Sequence, residues 1–88
     1  MRWACSLTED AEDDLRRLPR HIQERVARTL DSMMADPYQS NIRALKGREW
    51  QGVFRRRIGS YRILFTANQE ERTFVVIRIL IRSKDTYR

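Results

Sequence analysis

The sequence predicts one α+β domain spanning residues 1–88, in which a helical hairpin packs on a curved, mainly antiparallel, four-stranded sheet. Three observations predict this fold. Two adjacent segments have helical spacing of apolar residues, and three later segments have the composition of strands. The connections between those later strands are too short for parallel crossovers. The order of elements is therefore β-α-α-β-β-β, in a chain long enough for one hydrophobic core.

The first half of the chain predicts a short strand followed by two helices. Residues 2–7 alternate weakly between apolar and polar side chains, which is typical of a strand. Thr8 is a favourable N-cap, and the acidic residues within 9–14 suit the positive end of the first helix. Pro19 separates the two helices, and Asp36-Pro37 ends the second one. The second helix has an apolar face made of Ile22, Val26, Leu30, Met33 and Met34.

The second half predicts a polar connection over residues 38–50 and then three antiparallel strands. The strands lie at roughly 51–58, 61–67 and 72–81. Gly59-Ser60 forms the first tight turn between them. The last strand contains a nearly continuous apolar run, so we expect it in the interior of the sheet, covered on both faces.

Positive charge is concentrated in the second half. Residues 1–40 carry a net charge of −2 and residues 41–88 carry +8, which together give the overall +6. Successive side chains of a strand point to opposite faces. We therefore expect Arg55, Arg57 and Arg62 on one face of the sheet and Arg56 on the other. A cluster of guanidinium groups suits a polyanion such as nucleic acid.

The arginine cluster is also a candidate site for phosphodiester chemistry, because guanidinium groups match the geometry of phosphate and stabilise developing negative charge. Arg82, just beyond the last strand, is a further candidate for the same face. The single histidine, His21, lies in the other half of the chain. Tyr87 either transfers a proton or packs as a terminal aromatic residue, and both interpretations stay open. The candidates for proton transfer are Tyr87, Asp85, Glu49 and Lys46.

Composition excludes several kinds of site. The single cysteine, Cys5, excludes an internal disulfide and a cysteine-based metal centre, and no histidine accompanies the acidic run. We expect no metal and no cofactor. If the target is RNA, none is required, because the 2′-hydroxyl of RNA can attack its own phosphate. Trp50 and Tyr61 are candidates for stacking on bases, whereas strand alternation favours the core for Phe54. Without a long apolar run or a signal-peptide pattern, we expect a soluble, cytoplasmic protein that does not bind a membrane.

The sequence resembles the RelE/ParE superfamily of bacterial toxins. The resemblance rests on Leu18-Pro19, on Leu45-Lys46-Gly47, on the segment from Phe54 to Phe65 and on the terminal stretch from Lys84 to Arg88. It implies the RelE-like microbial RNase fold and a toxin of a type II toxin–antitoxin system. It further implies metal-independent cleavage of mRNA in the ribosomal A site. The implied partners are a cognate antitoxin, mRNA and the 70S ribosome, with a toxin that is monomeric alone and hetero-oligomeric with its antitoxin.

The resemblance also implies roles for individual residues. Arg55 and Arg57 would orient and stabilise phosphate, and Arg62 would neutralise the transition state. Tyr87 would activate the 2′-hydroxyl or stack on the base. Arg82 matches either a histidine that many members carry after the last strand or, with one residue deleted, the catalytic arginine. The candidate RNA-binding residues are Lys46, Arg48, Glu49 and Lys84.

Two other functions stay open. The ParE branch shares the fold but inhibits DNA gyrase and lacks the catalytic residues, so a gyrase inhibitor without nuclease activity is the main alternative. A basic binding module without activity is the third. The joint presence of Arg55, Arg57, Arg62 and Tyr87 favours the nuclease. If the protein is a toxin, whether a nuclease or a gyrase inhibitor, we expect its antitoxin to supply an acidic and apolar disordered segment that covers the arginines.

Overall fold

The computed structural model describes residues 2–39 and 42–81, and within them it confirms an α+β fold of two helices on a mostly antiparallel sheet. The strand order in the sheet is β1-β5-β4-β3-β2. β1 is parallel to β5, and all other neighbours are antiparallel. The elements are β1 (Ala4–Leu7), α1 (Glu9–Arg17), α2 (Arg20–Ala35), β2 (Ile42–Ala44), a 3₁₀ turn (Arg48–Trp50), β3 (Phe54–Ile58), β4 (Tyr61–Asn68) and β5 (Thr73–Ile81).

The prediction of four strands is wrong by one, because β2 forms where the sequence indicated a polar connection. Its residues Ile42–Ala44 pair with Phe54–Arg56 of β3. A strand of three residues is too short to carry an alternation signal, and its stability depends on the partner strand. The next predicted strand also begins later than expected, at Phe54, because Arg48–Trp50 forms a 3₁₀ turn.

The helix boundaries follow the predicted capping residues. The hydroxyl of Thr8 accepts a hydrogen bond of 3.1 Å from the N–H of Ala11, which is the contact of an N-cap. The same hydroxyl donates to the carbonyl of Ile77 at 2.9 Å, which ties the start of α1 to β5. Pro19 is the N-cap of α2, and the helix ends at Ala35, directly before Asp36.

The core lies between the two helices and one face of the sheet. Phe54 stacks on Phe65 with ring centroids 5.7 Å apart, so Phe54 belongs to the core side, as strand alternation predicted. Burial of each large apolar side chain contributes about 1.5–3 kcal/mol. The core residues are Trp3, Ala11, Ile22, Val26, Leu30, Met33, Ile58, Ile63, Phe65, Phe74, Val76 and Ile79.

A register shift in the β4–β5 pair keeps apolar side chains of β5 directed into this core on both sides of the shift. Phe65 pairs with Val76, whereas the preceding residue, Leu64, pairs with Arg78, so β5 contains one additional residue at this point. Val76 and Ile79 are three positions apart and would face opposite ways in a regular strand. With the additional residue, both lie in the core.

Asp14 of α1 supports the edge of β5 beyond the end of β1. Its buried carboxylate accepts hydrogen bonds from the N–H of Ile79 at 2.9 Å and from the guanidinium of Arg78 at 2.8 and 3.1 Å. Burial by itself would raise the pKa of Asp14. The hydrogen bonds from Arg78 and Ile79, with the charges of Arg78 and Arg17, outweigh burial and hold that pKa below its ordinary value. One residue of the acidic run therefore has a structural role.

No helix within the described ranges has the length and apolar character needed to cross a membrane.

Candidate nucleic-acid interface

Four arginines share the sheet face that the helices leave uncovered. Arg57 of β3 pairs with Arg62 of β4, and Arg55 of β3 pairs with Arg43 of β2. Directly opposed residues of antiparallel strands project from the same face. Arg55, Arg57 and Arg62 therefore lie together, as the alternation predicted, and Arg43 joins them. We call these four residues the arginine face.

The two cross-strand pairs of the arginine face are like-charged. Directly opposed like charges destabilise a sheet. Such opposition occurs at Arg43–Arg55 and again at Arg57–Arg62, two positions further along β3. A bound anion that accepts hydrogen bonds from both members of a pair would offset this repulsion. The arrangement therefore suits a ligand that carries negative charge at more than one point.

The arginine face is open on the side of β2. Arg43 and Arg57 are exposed and Arg55 is half-buried, whereas Arg62 is only 7% exposed. A cleft of about 380 Å³ is lined by Ile42, Arg43, Arg55 and Arg57. A ligand in this cleft meets the exposed guanidinium groups of β2 and β3 first.

A glycine turn fixes the register that opposes Arg57 to Arg62. Gly59 and Ser60 connect the paired residues Ile58 and Tyr61. Gly59 has a φ of +54° at the first central position, which is typical of a type II′ hairpin turn. Because a glycine adopts this conformation without steric cost, the turn sets the pairing of β3 with β4.

The predicted RNA-binding residues Lys46, Arg48 and Glu49 are exposed and lie in the connection between β2 and β3. This loop leaves the end of β3 that begins at Phe54, and Arg57 is three residues away, or about 10 Å along the strand. The loop therefore extends the positive surface from the end of the sheet at which Arg43 and Arg55 are paired.

Glu49 folds back over its own loop. Gly47 has a φ of +103°, and a Cβ built there would lie 3.2 Å from Oε1 of Glu49. At the base of the loop, the N–H of Leu45 donates to the carbonyl of Val53 at 2.9 Å. The Glu49 carboxylate thus lies close to Gly47 in a loop that this hydrogen bond closes at its base.

Arg56 lies on the helix side, as predicted. It pairs with Ile63 of the core and with Ile42. Its Nε and Nη1 atoms are buried and have no hydrogen-bond partner within residues 2–39 and 42–81. Arg56 therefore takes no part in the arginine face.

The sequence analysis missed Arg43, because residues 38–50 were assigned to a polar connection. The available signal was the triplet Ile42-Arg43-Ala44, in which one charged residue is flanked by two apolar ones. The predicted site residues Arg82, Lys84 and Tyr87 lie outside the described residues. In the part of the chain that the structure describes, no three histidine, cysteine, aspartate or glutamate residues are grouped so that they hold a metal ion.

Residues 5–86 match the family model of the ParE toxin of the type II toxin–antitoxin system parDE. The chain belongs to the RelE/ParE toxin superfamily. It is therefore a toxin of the type II toxin–antitoxin class, and its two helices on a mostly antiparallel sheet are the fold of that superfamily. Comparison with curated proteins gives no match.

Solved structures of RelE-type proteins are similar to this toxin over nearly its whole length. A chain of the toxin–antitoxin complex RelBE2 from Mycobacterium tuberculosis is 26% identical, with a TM-score of 0.83, covering 93% of this chain and 100% of that one. A chain of the archaeal RelE–RelB complex from Pyrococcus horikoshii is 19% identical, with a TM-score of 0.82 and coverages of 96% and 99%. The isolated RelE toxin of E. coli is 17% identical, with a TM-score of 0.74 and coverages of 96% and 88%.

Proposed function

We propose that this toxin is a metal-independent endoribonuclease that cleaves mRNA in the ribosomal A site and so inhibits translation. The observation that carries the proposal is the arginine face, with two opposed arginine pairs on three adjacent strands. Such an arrangement offers several guanidinium groups, on one face, to the phosphates of an RNA strand.

The proposed reaction uses the RNA as its own nucleophile. The 2′-oxygen attacks the adjacent phosphorus and the bond to the 5′-oxygen breaks, which leaves a 2′,3′-cyclic phosphate and a 5′-hydroxyl end. One proton leaves the 2′-hydroxyl and one reaches the departing 5′-oxygen. Negative charge accumulates on the non-bridging oxygens in between, and the proposed role of Arg57 and Arg62, which are paired on one face, is to stabilise it.

The remaining roles follow from position and from the family. Tyr87 and Arg82 are proposed to assist proton transfer and charge stabilisation at the same phosphate. Lys46, Arg48 and Lys84 are proposed to contact flanking parts of the RNA. Glu49 lies in the turn before β3 and not on a strand that carries the arginine face. We therefore assign it to RNA contacts and not to the reacting phosphate.

The proposed partner is a cognate antitoxin. Similar solved structures are complexes of RelE with RelB, in Pyrococcus horikoshii and in E. coli. An acidic and apolar segment of the antitoxin would neutralise the arginine face and fold upon binding. The proposed resting form is a hetero-oligomer with the antitoxin in the cytoplasm.

The test is a brief induction of the toxin in cells, followed by mapping of the 5′-hydroxyl ends of mRNA. New ends within translated regions are expected. Arg57→Ala and Arg62→Ala should abolish them while the purified proteins stay folded. Arg28→Ala, which removes an exposed arginine of the helix layer, is the charge-matched control and should cleave normally. Equal cleavage by wild type and Arg57→Ala contradicts the proposal.

The match to the ParE toxin model favours a second candidate, inhibition of DNA gyrase without nuclease activity. A supercoiling assay with purified gyrase separates the two functions. If growth stops while mRNA stays intact and gyrase is inhibited, the toxin is a gyrase inhibitor and the proposal of a nuclease is wrong.

A further inference from the structure

We propose that Arg43 and Arg55 form a second phosphate subsite, which binds the phosphate next to the one held by Arg57 and Arg62. The toxin would then bind two successive phosphates of one RNA strand. This inference rests on the proposed function, and it gives a role to Arg43, which that function leaves unused.

The spacing of the two arginine pairs supports the subsite. Arg43 is opposed to Arg55, and Arg62 is opposed to Arg57. Arg55 and Arg57 are two residues apart, which is about 7 Å along β3. Successive phosphates of an extended single strand are separated by a similar distance. A strand laid along β3 therefore presents one phosphate to each pair.

The surroundings of Arg43 leave its guanidinium available. Arg43 is exposed and lines the same open cleft as Arg55 and Arg57. Within the described residues it makes no hydrogen bond or ion pair, so the fold does not depend on its charge. The cleft runs from Arg43 and Arg55 to Arg57, so one ligand can contact the first pair and the Arg57 member of the second.

The alternative role of Arg43 is protection of the sheet edge. β2 is the last strand of the sheet, and edge strands often carry charged residues that prevent pairing with another chain. Any charged residue serves that purpose, and a glutamate at position 43 would do so without repelling Arg55. The two roles differ in whether Arg43 is coupled to a particular phosphate.

The experiment measures binding of single-stranded oligonucleotides that cannot be cleaved because they lack 2′-hydroxyl groups. In a series of probes, one phosphate at a time is replaced by an uncharged methylphosphonate. Dissociation constants are determined for wild type, for Arg43→Ala and for Arg28→Ala as the charge-matched control. A second measurement uses cleavable RNA and separates KM from kcat.

We expect one methylphosphonate, adjacent to the scissile position, to weaken binding by the wild type about tenfold. Arg43→Ala should bind the fully charged probe about tenfold more weakly and show no further loss with that methylphosphonate. The slope of log K against log salt should fall by about 0.7, the value for one lost phosphate contact on a single strand. KM should rise with kcat unchanged, and the variant should unfold at the same temperature as the wild type or above it.

Three results would overturn the inference. If each methylphosphonate weakens wild type and Arg43→Ala equally, or if Arg43→Ala binds like Arg28→Ala, Arg43 protects the edge and binds no phosphate. In both cases wild-type cleavage stays intact and the proposed function survives. If the wild type neither binds nor cleaves RNA, the proposed function and the second subsite fail together.

Discussion

Arg57 and Arg62 lie directly opposite each other across β3 and β4, and their side chains leave the same face of the sheet. Opposed like charges at such a position destabilise the pair by up to about 1 kcal/mol. A bound phosphate that accepts hydrogen bonds from both guanidinium groups would offset this repulsion. Phosphate binding therefore favours a positive charge at position 57, whereas the stability of the β3–β4 pair favours a negative or neutral residue there.

Arg57→Glu should separate these demands. Glutamate opposite Arg62 turns a repulsive cross-strand pair into an attractive one, so the free energy of unfolding should rise by about 0.2–1 kcal/mol. Toxicity and RNA cleavage should disappear, because the carboxylate repels phosphate. Urea denaturation and growth after induction measure the two effects. Arg57→Gln is the control, with a smaller gain in stability and the same loss of toxicity. A toxic Arg57→Glu variant would place the active face elsewhere.

The faces of the strands and the helix boundaries were predictable from the sequence because they depend on local rules. Thr8 caps α1 and Asp36 ends α2, as their chemistry indicates. Alternation placed Arg55 and Arg57 on one face and Arg56 on the other. These features need only the neighbouring residues, so a single sequence carries them.

The remaining features depend on residues that are distant in the sequence. β2 exists because β3 pairs with it, so Arg43 was not identified as a member of the arginine face. Asp14 is one of several acidic residues in α1, and its contacts with Arg78 and Ile79 are made 64 and 65 positions later. Helical spacing places Asp14 on the same face as Ala11 and Leu18 and Asp13 on the other face, but it does not identify Arg78 and Ile79 as the partners of Asp14. Such pairings become visible only in the folded chain.

Asp14→Asn should destabilise the fold by about 1–3 kcal/mol at neutral pH, because Arg78 loses a charged partner. The pKa of Asp14 in the folded state lies below its ordinary value. Its contribution is therefore complete above about pH 4, the ordinary aspartate pKa, and is lost as the pH falls through the lower folded-state pKa. Unfolding free energies between neutral and acid pH should decrease more steeply for wild type than for Asp14→Asn.

The control for this experiment is Asp13→Asn. Asp13 forms a surface ion pair with Arg16, and both side chains are largely accessible to solvent. Such pairs contribute at most about 1 kcal/mol. Loss of equal stability in both variants would contradict a special role for Asp14 at the edge of β5.

Arg56→Met should stabilise the fold. The Nε and Nη1 atoms of Arg56 are buried without a hydrogen-bond partner within the described residues. A buried donor left unsatisfied costs about 1–3 kcal/mol, and methionine fills similar space without that cost. The urea midpoint should rise, with cleavage unchanged because Arg56 lies on the side away from the arginine face. A lower midpoint would indicate that the guanidinium has a partner in solution.

Gly59→Ala should test how strongly the β3–β4 turn holds the register of Arg57 and Arg62. An alanine with a φ of +54° costs about 1–2 kcal/mol, and its Cβ would lie 3.1 Å from Nη1 of Arg25. The end of the Arg25 side chain can move, so the loss of stability should come mainly from the backbone. Thermal unfolding of the purified variant measures it.

Gly52→Ala provides the comparison for this turn. Gly52 also has a positive φ, of +81°, but a Cβ there meets nothing within 4 Å. If the backbone is the main cost, the two alanine variants should lose similar stability, because each places an alanine at a positive φ. A much larger loss of stability for Gly59→Ala alone would show that the Arg25 side chain cannot move away from the new Cβ. Since the turn also opposes Arg57 to Arg62, cleavage should then fall together with stability.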